Sequence, residues 1–305
     1  MKTKRFGWTR ADFAFDNVNT ILMSILLIVM AYPLWYVLIA SFSEPFAIAR
    51  GEVFIIPKEF TLEAYTNVFK IGVIWDGYLN SFFYTIFGSI LNMILTIPAA
   101  YVLSKKKLPG RALIVTYFLI IMYFGGGLIP TYLNIKSLNL IDKPYTLIVL
   151  SGISIYYVIL TRVFYESTIP EELYESAHID GASEFRSFFQ IALPLSAPII
   201  AVIALFYAVF HWNDYFTALL YVPSTRYHPL QLILRSILIL NESMLNAVDS
   251  GNLDSDQIAA IARRAHMAEA MKYSLIFIAS APMLIAYPFV QKYFVKGVMI
   301  GSLKG

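Results

Sequence analysis

The residues best equipped for chemistry fall in two places. Trp212, Asn213, Asp214 and Tyr215 set two aromatic rings and two hydrogen-bonding side chains within four positions. Sugars present hydroxyls and apolar ring faces, so a site for them combines aromatic platforms with groups that donate and accept hydrogen bonds. His211 and Asp214, three apart, would share one face of a helix, the spacing a proton relay needs. Tryptophan and tyrosine are also the usual residues of a membrane interface, and that reading stays open beside the others. The second place is 166–194, ESTIPEELYESAHIDGASEFRSFFQIALP, a long stretch of mixed charge between apolar runs.

Other chemistries find little support. With no cysteine there are no disulfides, thiolate metal sites or cysteine nucleophiles, and the four histidines are scattered without metal-ligand spacing. A proton-coupled secondary carrier would show inverted repeats with interrupted helices, and no internal duplication is visible. An intramembrane enzyme would need a nucleophile and base, for instance Ser236 or Ser274 with His266, but no elbow-like or metal-binding motif accompanies them. The acidic turn from Asp249 to Asp256 lacks the twelve-residue calcium loop with its terminal glutamate, and reads as a solvated turn.

The elements that position these groups follow from composition. Of 305 residues, 58% are hydrophobic and 14% charged, and mean hydropathy is +0.65. Soluble domains carry about 25% charged residues, so most of this chain must be solvated by lipid. That excludes soluble enzymes and nucleic-acid binders. The net charge of +3 is no nucleic-acid footprint, because the basic residues sit beside apolar segments.

Six uncharged runs reach the length of a membrane helix, about 20 residues: Thr20 to Ser41, Gly77 to Ser104, Ala112 to Ile135, Pro144 to Thr161, Ser187 to Asn213 and Tyr273 to Gln291. Backbone polar groups in lipid must be satisfied internally, which predicts an all-α polytopic membrane protein with six transmembrane helices. The stretch Leu230 to Leu240 is also apolar but is interrupted by Arg235, and reads as an interfacial or buried half-helix. Inside the second run Asn80 and Asn92 are polar; Asn92 suits a helix-to-helix hydrogen bond, and is also a candidate for a substrate path.

Orientation follows from charge. Lys105, Lys106, Lys107 and Arg111 crowd one short loop, which the positive-inside rule makes cytoplasmic. Alternation then puts both termini and 162–193 inside, leaving 13 Lys and Arg inside against 10 outside. The expected organisation is a cytoplasmic segment 1–19, a transmembrane domain 20–291 and a cytoplasmic tail 292–305.

Within 166–194, Pro170 with Glu171 and Glu172 fits a helix start, because proline suits the first turn and carboxylates suit the positive end of the dipole. That helix is expected to reach about Ile179. Asp180-Gly181 breaks it, and a second short helix, Ala182 to Gln190, aligns Phe185, Phe188, Phe189 and Ala192 in one stripe beside Glu184 and Arg186. The rings either pack on the protein's own helix ends or meet a partner.

The segment resembles the EAA signature of the ABC importer permease family: Glu175-Ser176-Ala177, then Asp180-Gly181-Ala182, then Ile191, Leu193 and Pro194. The family pattern is Glu-Ala-Ala, three residues, Gly, and later Ile-x-Leu-Pro, and this chain departs from it at Ser176. The Pro109-Gly110-Arg111 turn, Gly125 to Tyr132, and His211 to Phe216 are similar to the carbohydrate-uptake branch, most of all to permeases for complex oligosaccharides.

The resemblance implies a type I importer fold in a bacterial cell membrane. It implies that 166–194 is a coupling helix docked on a dimer of separate ATPase subunits. Glu175 would then supply a charged contact beside Ser176 and Ala177, and Gly181 the bend between Asp180 and Ala182. Phe185 and Phe189, with Arg186, would fill the partner's pocket ahead of Leu193 and Pro194. Further implied partners are a second homologous permease, an extracytoplasmic solute-binding protein for which the 241–272 loop is a candidate contact, an oligosaccharide, and membrane lipid. The chain itself would be no enzyme and bind no cofactor, ATP and magnesium belonging to the ATPase.

Overall fold

The computed structural model describes residues 10–248 and 255–302. Lys2, Lys4 and Arg5 and most of the acidic turn, Asp249 to Asp254, lie outside the described residues. Among the described residues there is no strand. Helices run α1 Arg10–Ser41, α2 Pro45–Ala49, α3 Glu63–Phe69, α4 Gly72–Ser104, α5 Arg111–Tyr123, α6 Leu128–Ser137, α7 Pro144–Val149, α8 Ile155–Thr168, α9 Glu171–Ile179, α10 Glu184–Ser187, α11 Leu193–Leu195, α12 Ala197–Asn213, α13 Phe216–Tyr221, α14 Leu230–Val248 and α15 Ser255–Ser302.

Two compact units form, Met1–Lys70 with Leu238–Ile278, and Ile71–Ile237 with Ala279–Gly305. In the first, the end of α1 packs with α2, α3 and α15 around Ile39, Ala40, Ile48, Val53, Ala64 and Ala270. Glu44 caps α2 by accepting from the Ala47 amide at 2.9 Å, and Pro45 takes the first position, where its missing N–H leaves nothing unpaired. Earlier in α1 the apolar side chains are exposed on every side, from Phe13 to Trp35, which only a lipid or protein environment would cover.

In the second unit α4 is the central helix, packed mainly by α12 and α8. Ile97, Ala100, Tyr101 and Leu103 of α4 meet Val158 and Tyr165 of α8, Ile203 of α12, and Phe188 and Ala192. A second core joins Tyr84, Ile135, Leu147, Ala218, Tyr221 and Leu232. No membrane is present, but Asp12–Ser41, Gly72–Ser104 and Ala265–Pro288 are each long and apolar enough to cross one.

The other expected spans are broken. Arg111–Tyr123 and Leu128–Ser137 meet at 110° across Phe124 to Gly127, and Glu184–Leu195 meets Ala197–Asn213 at 78°. Counted as single spans, these pairs bring the number among the described residues to five. The stretch Pro144 to Thr161 is divided into α7 and α8 by residues 150–154.

Such a break would strand backbone groups in apolar surroundings. Here two side chains answer them. The Asn92 amide donates to the Ser151 carbonyl, and the Tyr207 hydroxyl accepts from the Ser154 amide at 3.2 Å.

Candidate functional site

The α9 to α10 segment is built by local rules. Glu171 and Glu172 occupy the first turn of α9, beside Pro170 at its N-terminal boundary. The helix ends in a Schellman motif: Gly181 donates to His178 O at 3.0 Å and Ala182 to Ala177 O at 2.8 Å. Gly181 has φ +74°, a conformation that side-chain-bearing residues resist, so glycine fixes the bend. Ser183 then opens α10, accepting from the Arg186 amide at 3.3 Å.

No residue of α9 is buried. Glu175, Ser176, Asp180 and Arg186 are exposed, Ala177, Ala182 and Leu193 half-buried, and Pro194 exposed. The helix expected over Ala182 to Gln190 is shorter: α10 gives way to a π-turn at Phe188–Ala192, ahead of Pro194 and Pro198, which cannot donate to a helical ladder. The turn divides the aromatic stripe. Phe188 is 9% exposed and Ala192 is buried, whereas Phe185 is 78% and Phe189 58% exposed. Phe188 thus packs on the protein's own helix ends, while Phe185 and Phe189 remain exposed.

The exposed segment is held firmly from behind. Lys106 pairs with Glu171 at 2.9 Å. Lys105 Nζ sits 3.1 Å from the Tyr174 ring centroid and 4.4 Å from that of Tyr101, and the Tyr101 hydroxyl donates to Glu184 at 3.1 Å. Arg111 and Arg162 converge on Glu166. The hydrogen bond and charge of Lys106 hold the Glu171 carboxyl below its usual range, and the same pair raises Lys106. Burial lowers Lys105 and pushes Tyr174 up to about 12. Of the basic residues of 105–111, Lys105 and Lys106 turn out to hold α9, and Arg111 pairs with Glu166 near the end of α8.

The second candidate group divides differently. Trp212 is 1% exposed and donates to Ala279 O at 2.9 Å, with Tyr78 and Phe82 against its ring. Asn92 is fully buried, and its amide oxygen accepts from His211 Nε2 at 2.7 Å. Asn213 and Tyr215 are exposed and Asp214 half-buried. Asp214 accepts from the Thr217 amide at 3.1 Å, securing the start of α13, so it and His211 have separate partners. Arg235 lies with its guanidinium carbon 5.2 Å from the Tyr215 ring centroid.

The serine and histidine candidates for hydrolysis are likewise engaged elsewhere. Ser236 donates to Leu232 O at 2.9 Å, and the His266 ring packs on Phe46 at 5.0 Å. Among the described residues no group of histidine and carboxylate side chains is arranged to hold a metal.

An all-helical chain with helices apolar enough to cross a membrane is a membrane protein, and its class follows from its relatives. The chain belongs to the family of binding-protein-dependent transport system inner membrane components, whose pattern matches residues 68–300. It is 39% identical over 97% of both chains to Protein LplC of Bacillus subtilis (strain 168). It is 38% identical to the polygalacturonan/rhamnogalacturonan transport system permease protein YtcP of the same organism, over 91% of this chain and 94% of that one. A solved bacterial ABC transporter involved in the import of the acidic polysaccharide alginate matches with TM-score 0.83 at 30% identity, over 94% of this chain and 99% of that one. The protein is thus an ABC importer permease, and neither the carrier nor the enzyme alternative is favoured.

Proposed function

We propose that this permease carries an oligosaccharide, delivered by an extracytoplasmic solute-binding protein, through a path shared with a second homologous permease. Energy enters from a dimer of ATPase subunits that grips residues 171–190 on the cytoplasmic side, where both termini also lie. The observation that carries the proposal is the exposure of Phe185 and Phe189 on a segment whose other side is clamped by Lys105, Lys106 and Tyr101. Exposed rings at the centre of a contact are typical binding anchors, and a clamped segment moves with the helices to which it is tied. Glu175 and Arg186 offer charges around those anchors, with Ser176 and Ala177 allowing close approach.

The saccharide follows from the relatives, one a polygalacturonan/rhamnogalacturonan permease and one an importer of alginate. Asn213, Asp214 and Tyr215 are the candidates to touch it, while Trp212 and Asn92 shape the wall behind them. ATP and magnesium stay with the ATPase.

Closing of the ATPase pair would bias the permease between its two open states. Moving such a balance from 1:99 to 99:1 needs about 5.5 kcal/mol of differential binding. The test is affinity purification of the membrane complex with wild-type and Phe185→Asp chains. Wild type should bring down a homologous permease and an ATPase subunit, and Phe185→Asp should lose the ATPase alone. Equal recovery of the ATPase with both chains would remove the coupling assignment.

A further inference from the structure

Arg235 is the one ionic side chain in the apolar stretch Leu230 to Leu240. The turn before it is packed away, with Leu230, Leu232, Ile233 and Leu234 each buried. Arg235 and Ser236 emerge from that packing exposed. A charge on an apolar helix of a membrane protein is costly and marks a pathway or a counter-charge. Among the described residues no carboxylate forms an ion pair with it.

What it has instead is Tyr215, whose ring centroid lies 5.2 Å from the guanidinium carbon. A guanidinium drawn to an aromatic ring at this distance still carries a fork of N–H donors with which to meet a planar partner. The partner that matches the fork in shape and charge is a carboxylate, taken bidentately. Asn213, exposed two positions before Tyr215, adds amide chemistry suited to sugar hydroxyls. A neutral sugar would leave the cation without its counter-charge.

We propose that Arg235, seated on Tyr215, is a carboxylate-binding subsite in the transport path, and that the cargo is an acidic oligosaccharide whose uronate group occupies it. The assignment rests on the oligosaccharide reading above and narrows it. Arg235 touches the substrate, and Tyr215 is a positioning residue that holds the guanidinium in place.

The test uses the whole transporter in vesicles, with its binding protein and ATPase. The probes are labelled uronate trimers from pectin and alginate, and the same trimers with every carboxyl methyl-esterified. Wild type should take up the acidic trimers in preference to the esters. Arg235→Gln should lower acidic uptake by about tenfold or more, the size of one lost charge-assisted pair, and Arg235→Lys should keep part of it. Tyr215→Leu should resemble Arg235→Gln, and Tyr215→Phe, which keeps the ring, should retain more acidic uptake than Tyr215→Leu.

Equal or better uptake of the esters, or uptake of neither set, overturns the inference. The importer assignment is judged separately by recovery of the ATPase, so the two can fail independently. Loss of the second permease from purified Arg235→Gln would mean that the arginine pairs with that subunit. An Arg235→Gln defect that vanishes in vesicles of phosphatidylcholine alone would mean that it binds an anionic headgroup. Either result also overturns the subsite.

Discussion

Asn92 and His211 meet through a 2.7 Å hydrogen bond inside the second unit, both of them buried, while the other end of the Asn92 amide donates to Ser151 at the break between α7 and α8. One turn along each helix, Thr96 and Tyr207 repeat the arrangement at 2.7 Å, with the Tyr207 hydroxyl accepting from Ser154. Two polar side chains of α4, two of α12 and the two edges of a broken helix thus form a double tie. A helix can be interrupted there because its stranded backbone groups have partners.

Asn92→Leu should therefore destabilise the protein. It removes the donor to Ser151 O and the partner of His211 together, and leaving buried polar groups unpaired costs about 1–3 kcal/mol each. Thermal unfolding of the detergent-solubilised chain should shift to lower temperature, and Tyr207→Phe should do the same. Because both act on one break, the double variant should lose less than the sum of the two. Simple additivity would mean that the two ties are independent.

Gly88→Ala tests the same region by volume. A Cβ at this position would stand 2.4 Å from the His211 imidazole, inside any tolerable contact, and the ring is fixed by Asn92. Overpacking of this kind typically costs about 1–3 kcal/mol. Lower thermal stability is expected for Gly88→Ala, partly restored by His211→Ala in the same chain; no restoration would place the strain elsewhere.

Much of this arrangement could not be read from spacing. Uncharged length, the property that marks the six runs, reports which residues lipid will solvate. It says nothing about whether the backbone continues through them. The partners that permit the break at 150–154 are Asn92 and Tyr207, far away in sequence, and only the fold brings them together. By contrast, α9 lies where the sequence put it, ending at Ile179, because its signals are local: proline and two glutamates at one end and an aspartate-glycine turn at the other. Asn92 was legible as a helix-to-helix hydrogen bond for a similar reason, since an amide in lipid has few other uses. Trp212 is packed in the interior rather than at an interface with lipid headgroups, and its indole N–H finds the Ala279 carbonyl.

The split of the aromatic stripe predicts opposite behaviour for neighbouring rings. Phe188 is buried against Tyr101, with ring centroids 5.0 Å apart, so Phe188→Ala should cost about 3–5 kcal/mol of stability and lower the yield of folded chain. Phe185 touches little of its own protein, and Phe185→Ala should change stability by no more than about 0.5 kcal/mol while reducing ATPase recovery and uptake. A stability loss in Phe185→Ala matching that in Phe188→Ala would mean that the ring packs inward.

The Asp142 clasp makes a prediction in pH. Its carboxylate accepts from the Ser224 amide at 3.0 Å and from the Ser224 hydroxyl at 2.5 Å, and these bonds lower its pKa from the ordinary 3.8. A carboxyl depressed in the folded state contributes stability above its unfolded pKa and loses it as pH falls through the folded one. Protection of the Ser224 amide from hydrogen exchange, compared at matched intrinsic rates, should hold from pH 7 down to about 4 and fall only below the ordinary aspartate value. Asp142→Asn should lose much of the protection at every pH in that range, and protection that already drops between pH 7 and 5 would assign the clasp to another group.

Asp214 separates capping from contact with the cargo. Its carboxylate accepts from the Thr217 amide, a role asparagine can fill equally well, whereas a charge presented to the cargo or to water is lost in the amide. Asp214→Asn should therefore keep thermal stability and ATPase recovery while lowering uptake, and Asp214→Ala should lose about 0.5–2 kcal/mol of stability in addition. If Asp214→Asn transports at the wild-type rate and only Asp214→Ala falls, the residue acts solely as the cap of α13. Substrate contact would then rest with Asn213, Tyr215 and Arg235. The pair of variants decides between these cases because they differ in the hydrogen bond and share the loss of charge.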